Sequence, residues 1–166
     1  MIKLEYVPNG LQAINEWYGG PPAHIQDHKL VPDKEWYREN TKYFKLPFPL
    51  RLGWDLSQVS INARAHKKII PALRDALIEI RNYGGYDFLR KYNLEIWNGI
   101  RMLRFAKDSK RLSLHAYLAA IDYCPHLGPY KERSRMPYFI VMAFLSRGFV
   151  TFPHFDGMHF QAARGY

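Results

Sequence analysis

The stretch Ser113–Asp122, S-L-H-A-Y-L-A-A-I-D, constrains this chain most, because it sets an imidazole and a carboxylate on either side of a short apolar run. His115 is expected on a turn and Asp122 at the end of a strand. Period-two alternation puts Ala119, Ile121 and Tyr123 on one face of that strand and Ala120 and Asp122 on the other. One His and one Asp cannot hold a transition metal alone, so the fold has to bring further donors beside them. The end of the chain offers these in F-D-G-M-H-F-Q. Asp156-Gly157 signals a turn, after which Met158 and Phe160 alternate with His159 and Gln161.

His115, Asp122 and His159 then form a set of three N/O donors, the kind that hydrolytic Zn2+ uses. Three protein ligands leave a fourth position for water, whereas a structural zinc site is closed and usually rich in cysteine. Asp156, outside the ligand set, is the candidate base for a water whose pKa the metal lowers toward about 7. Each residue alone has a commoner role: a lone histidine is usually hydrogen-bonded in core or at surface, and an Asp before Gly usually stabilises a turn. The four together, in this order, point to a metal. His154, five residues before His159, is a candidate to touch substrate, although an exposed loop histidine is its ordinary reading. Trp97, Tyr117 and Tyr123 are candidates to line a peptide groove, against the ordinary reading of aromatics as core. Cys124, two residues after Asp122, would share its face and line the site; the ordinary reading is a buried thiol.

A chain of 166 residues and 19.6 kDa is expected to form one domain over 1–166, large enough to bury roughly two-thirds of its unfolded surface. With 48% hydrophobic and 16% aromatic residues, disorder is excluded. The net charge of +9 favours a negatively charged partner: nucleic acid, an anionic membrane surface, or the acidic polymers of a bacterial wall. One cysteine excludes an internal disulfide. No apolar run approaches the about 18 residues of a membrane span, and the amino end lacks a secretory apolar core, so synthesis in a cytoplasm without a membrane anchor is expected.

Asn9 is expected to cap a short helix through Leu11, Ile14 and Trp17 that Gly19-Gly20-Pro21-Pro22 ends. Residues 20–55 read as an irregular arm with one short strand, given Pro32, Pro47 and Pro49. From Ser57 to Ile80 the apolar spacing predicts an amphipathic helix that Pro71 kinks or divides. Tyr86–Tyr92 predicts one or two helical turns, and Leu94–Phe105 a strand or hairpin limb with Asn98-Gly99 as a turn. Lys107–Arg111 reads as a loop, Pro137–Ser146 as a helix stopped by Gly148, and Phe149–Phe152 and Met158–Gln161 as two strands.

Ser113-x-His115, followed by Ala119-x-x-Asp122 and then Asp156-Gly-Met-His159-Phe160, resembles the zinc peptidases of the D-alanyl-D-alanine carboxypeptidase family. Within it the chain looks most like the small phage endolysins that cleave peptidoglycan peptides. Pro8-Asn9-Gly10-Leu11 before a short helix, and His66-Lys67-Lys68 on a long helix, extend the likeness over most of the chain. The resemblance implies one Zn2+ on His115, Asp122 and His159, with Asp156 as the catalytic carboxylate. In similar proteins an arginine upstream of the first histidine contacts substrate; Arg104 matches it best, with Arg101 as the alternative. Ser113 resembles a serine near the metal with a supporting role. Two departures stand out. Leu118 replaces a usual glycine, which predicts a strained backbone or a different turn, and Val150-Thr151-Phe152 stands where many relatives have a tryptophan-glycine segment.

These readings imply an α+β domain, hedgehog/DD-peptidase-like, whose small antiparallel sheet carries the zinc with helices packed on the other face. The expected activity is hydrolysis of a peptidoglycan stem bond, L-alanyl-D-glutamate or D-alanyl-D-alanine, by a monomer freed from the host cytoplasm or carried in a virion. The rivals are a non-catalytic or virion-associated wall-binding component and a basic nucleic-acid-binding protein. Nucleic acid is not the expected partner, because no binding motif accompanies the charge.

Overall fold

A computed structural model describes residues 1–106 and 109–165. Its elements run α1 (Leu11–Tyr18), β1 (Ala23–Gln26), β2 (Lys29–Pro32), α2 (Lys34–Asn40), β3 (Thr41–Leu52), β4 (Asp55–His66), α3 (Ile70–Lys91), β5 (Ile96–Gly99), β6 (Ala120–Tyr123), α4 (Tyr138–Leu145), β7 (Val150–Phe152) and β8 (Asp156–Gln161). β1 and β2 form a hairpin of their own, and the other six strands make one sheet in the order β4-β3-β5-β6-β8-β7. The class is α+β. The sheet is mixed rather than antiparallel: β3 runs parallel to β5, pairing Arg51 with Ile96 and Leu52 with Trp97, while the remaining neighbours are antiparallel. The crossover between these two strands carries α3, the kind of connection a parallel pair needs.

Residues 20–55 are not an irregular arm. They hold the β1–β2 hairpin, α2 capped by the Asp33 carboxylate accepting from the Trp36 N–H at 2.9 Å, and the twelve-residue β3. Pro47 and Pro49 obscured β3 because they lack an N–H. They fall where the ladder with β4 shifts register, between Lys45 and Leu50, so no pairing hydrogen bond is lost there.

The helix expected from Ser57 starts later. Val59, Ile61, Ala63 and Ala65 alternate by two along β4, and the true helix opens at Ile70 with Pro71 in its first turn, where a missing N–H costs nothing. His66, Lys67 and Lys68 accordingly sit at a strand end and turn, not on a long helix. The turns expected at Tyr86–Tyr92 belong to α3, which continues past a break at Gly85, where φ is +80° and only glycine is comfortable. Asn98 and Gly99 lie within β5 rather than in a hairpin turn. Gly10, rather than Asn9, holds the N-cap position of α1. The first two residues of the loop expected at 107–111 lie outside the described residues.

Ala72, Leu73, Ala76, Leu77 and Ile80 form the buried stripe of α3, which packs on β3 and α4. A fully buried Leu such as Leu73 contributes about 1.5–3 kcal/mol. Phe144 of α4 stacks on Phe160 of β8 with ring centroids 4.2 Å apart and meets Tyr123 of β6 at 5.9 Å. Because Ile121 pairs with Phe160 and Asp122 with His159, this helix contact fixes which face of β6 and β8 is core. Asp122 and His159 are turned to the opposite face, as the alternation predicts. Among the described residues, no helix is long and apolar enough to cross a membrane.

Candidate metal centre

Two strands and one turn bring His115, Asp122 and His159 together. Asp122 and His159 are register partners on β6 and β8, and His115 arrives on the turn that precedes β6. That turn closes through Leu118, whose N–H reaches the His115 carbonyl at 3.2 Å and whose own carbonyl accepts from the His66 N–H at 2.9 Å. Leu118 holds φ +53°, so of a strained backbone and a different turn it takes the strained backbone, with its side chain fully buried. Ser113 supports the same turn: its hydroxyl accepts the His115 N–H at 3.3 Å.

The three donor atoms face one another. His115 Nε2 lies 3.1 Å from Asp122 Oδ1 and 3.1 Å from His159 Nδ1, and the latter two are 3.0 Å apart. All three residues are at most 8% exposed. The far nitrogen of each ring has its own acceptor. His115 Nδ1 donates to the Ile100 carbonyl at 2.7 Å, and His159 Nε2 donates to Gln161 Oε1 at 3.0 Å. These partners fix the tautomers, leaving two imidazole lone pairs and a carboxylate oxygen pointed at a common centre with no hydrogen to share among three acceptors. Only a positive charge relieves that arrangement. Tetrahedral zinc with bonds of about 2.0–2.1 Å places its ligands roughly 3.3 Å apart, so the group fits such an ion, and two imidazoles with one carboxylate also suit other divalent first-row metals. The triad can hold a metal ion; among the described residues it is the group with that geometry.

The electrostatics carry the same sense. Burial alone would raise the Asp122 carboxyl, yet its contacts to His115 and His159 hold it well below the usual carboxylate range. Burial disfavours a charged His159, but the adjacent Asp122 oxygen outweighs it, with Asp156 and Gln161 adding, and the imidazole is raised above its ordinary value. A proton at His159 Nδ1 and a metal ion are thus competitors for one place.

Beside the triad opens a cavity of about 230 Å3. His159, Gln161, Ser113 and Asp156 line it on the metal side, and Arg104 and Arg111 bring positive charge. Tyr130, Phe152 and Phe155 supply its apolar wall, with Phe152 lying over the His159 ring at 6.3 Å. Asp156 stands at the start of β8, with Tyr130 bridged to it.

The expected residues do not all gather there. Arg104 lines the cavity, its Nε 2.9 Å from the Met102 sulfur and one Nη donating to the Phe105 carbonyl at 3.2 Å. Arg101 is exposed and lies over the Tyr37 ring at 5.1 Å, away from the cavity. Tyr117 belongs to the core: it is buried, its hydroxyl donates to Asn15 Oδ1 at 2.6 Å, and burial raises its pKa to about 12. Trp97 and Tyr123 are likewise buried. His154 is exposed on the β7–β8 turn and does not line the cavity. Cys124 does not share the metal face, because a φ of +46° breaks the alternation and its thiol meets the Leu94 carbonyl at 3.5 Å. Missed in the sequence were Gln161, Arg111 and the Ile100 carbonyl. Gln161 was findable, since it follows His159 by two on a strand and must share its face.

Compared with protein families, curated proteins and solved structures, the chain matches none.

Proposed function

We propose that this is a zinc-dependent hydrolase acting on the stem peptides of peptidoglycan, at an L-alanyl-D-glutamate or a D-alanyl-D-alanine bond. The observation that carries the reading is the convergence of three lone pairs from His115, Asp122 and His159 beside a cavity that also holds a carboxylate and two arginines. When bound, a divalent ion there supplies a Lewis acid that lowers the pKa of water to about 7 and polarises a carbonyl. His115, Asp122 and His159 hold it, and the Ile100 carbonyl and Gln161 keep the rings aimed. Asp156 takes a proton on its carboxylate as water attacks the scissile carbon and returns it to the leaving amine. Arg104 binds substrate carboxylate or developing negative charge, and Phe152, Phe155 and Tyr130 keep bulk water from the reacting bond. The acidic stem peptide matches the cavity's two arginines, and the net charge of +9 favours an anionic wall.

The test is Asp156→Asn. Digestion of purified peptidoglycan, followed by mass spectrometry of the fragments, should show a new amino and a new carboxyl terminus at one stem bond with the parent protein and none with the variant. Metal content per chain should stay equal in the two. A variant that still releases fragments, or one that has lost its metal, removes Asp156 from the assigned role.

A further inference from the structure

The metal-bearing face of the sheet continues past the triad onto β5, where a second pocket of about 390 Å3 lies under Trp54. Trp54 and Gly53 form the β3–β4 turn, and Trp54 is 64% exposed. Its ring edge comes within 3.9 Å of where a side chain at Gly99 would begin, ordinary contact distance, so the indole lies against the end of β5, where the φ of +85° suits glycine. Gly99 is the register partner of the ligand Asp122, and the next residue's carbonyl orients His115. The two sites are therefore joined through a single strand.

β5 is bulged at this point. Trp97 pairs with Tyr123 and Gly99 with Asp122, so one extra residue, Asn98, opposes β6; next to Trp97, which faces the core with Tyr123, it takes the opposite, metal-bearing face. Asn98 lines the pocket with Trp54 and His126, and its Oδ1 is buried against Gly53 with no hydrogen-bond partner among the described residues. A half-turn of the carboxamide exchanges its oxygen and nitrogen, so it can offer an acceptor or a donor. No Lys, Arg, Asp or Glu lines the pocket among the described residues, in contrast to the cavity beside the triad. A ligand fitting here is neutral, has a flat C–H face for the indole and carries an amide to pair with Asn98.

We propose that this pocket is a saccharide subsite taking an N-acetylated hexosamine of a glycan chain, with the sugar ring on Trp54 and the acetamido group on Asn98. The inference rests on the proposed wall activity for its biological sense, since stem peptides hang from such a glycan. It stands on its own geometry for binding. Glycan and peptide would then occupy one continuous face, the sugar over β5 and the scissile bond over β6 and β8.

Titration of the full chain with a linear tetramer of N-acetylglucosamine, followed by tryptophan emission, tests it without any hydrolysis. A saturable change is expected for the parent, with affinity lowered about tenfold or more in Trp54→Ala and in Asn98→Ala, and partly retained in Trp54→Phe. Trp54 is exposed, so its replacement leaves the core untouched. No binding, undiminished binding by Trp54→Ala, or equal binding of the de-N-acetylated tetramer overturns the proposal, as does Trp54-dependent binding of a stem peptide in place of sugar. Sugar binding by a chain that cuts no wall peptide would retire the hydrolase reading and leave this subsite standing, whereas wall hydrolysis without sugar binding would do the reverse.

Discussion

Gln161 shows how much a metal centre depends on residues that never touch the ion. It is buried, accepts from His159 Nε2 at 3.0 Å, and is itself anchored by donating to the Ala163 carbonyl at 2.9 Å. Without it the imidazole could place its proton on Nδ1, the atom that faces Asp122. Replacing such an outer partner typically costs 10–100-fold in metal affinity. Gln161→Ala should weaken binding by about that factor in a competition titration with a chromophoric chelator, and Gln161→Glu, which keeps the acceptor, should recover most of it. Leu118 poses a different balance. Its φ of +53° costs roughly 1–2 kcal/mol that glycine would not incur, but its fully buried side chain is worth about 2–5 kcal/mol against truncation. Burial wins, so Leu118→Gly should lower unfolding stability in urea by about 1–4 kcal/mol despite relieving the backbone.

At the scale of elements, the parallel pair β3–β5 holds the site together, because β5 carries the Asp122 register and leads directly into the Ile100 carbonyl, while β3 ties it to the main core. Backbone bonds from Arg51 N to the Glu95 carbonyl and from Gly53 N to the Trp97 carbonyl, at 2.9 and 2.8 Å, are reinforced by the Arg51 guanidinium on the fully buried Glu95 carboxylate at 2.5 Å. Removing one member of a buried pair strands the other charge, at a cost of about 3–5 kcal/mol. Arg51→Met should therefore destabilise by roughly that amount, and adding Glu95→Gln should restore part of the loss, which a double-mutant cycle in urea would read directly. None of this was legible in the sequence. Glu95 looks like any strand residue, and a parallel partner forty-four positions away leaves no local trace. What was legible rests on short-range physics: α1 stopped by Gly19, α4, and the alternation that puts Asp122 and His159 on one face and Tyr123 and Phe160 on the other. β4 is hidden in the sequence because Ile69, Ile70, Leu73 and Leu77 continue a run begun by Val59 and Ile61. The apolar spacing of a strand followed at once by a helix mimics one long helix, in which Pro71 would be a break, whereas it marks a start.

For the molecule as a whole, acid sensitivity separates into windows by the sign of each shift. His66 is fully buried where β4 meets α3, its ring edge-on to Tyr18 at 4.7 Å and tilted against Trp36 at 5.8 Å. It bonds to the Tyr18 carbonyl at 3.3 Å and accepts the Lys68 N–H at 3.2 Å. Burial lowers its pKa to about 4, overcoming the Tyr18 carbonyl, with the Lys68 and Lys67 charges adding. The unfolded chain, with an ordinary imidazole near 6.5, binds the proton more readily, so stability falls as pH drops from about 6.5 to 4 and changes no further below that on this account. Two and a half pKa units correspond to about 3 kcal/mol. His159 acts above this window, since a raised pKa favours the folded state at low pH and loses that contribution as pH rises; Asp75 and Asp122, with lowered values, act below about 4. His126 shifts in the same direction as His66 but is exposed. His66→Asn keeps an acceptor for the Lys68 N–H and removes the titration. Urea unfolding at about pH 7 and about pH 4.5, with chelator present to silence metal linkage, should show the parent losing roughly 2–3 kcal/mol more than the variant. Equal losses would place the acid sensitivity elsewhere than the junction of β4 and α3.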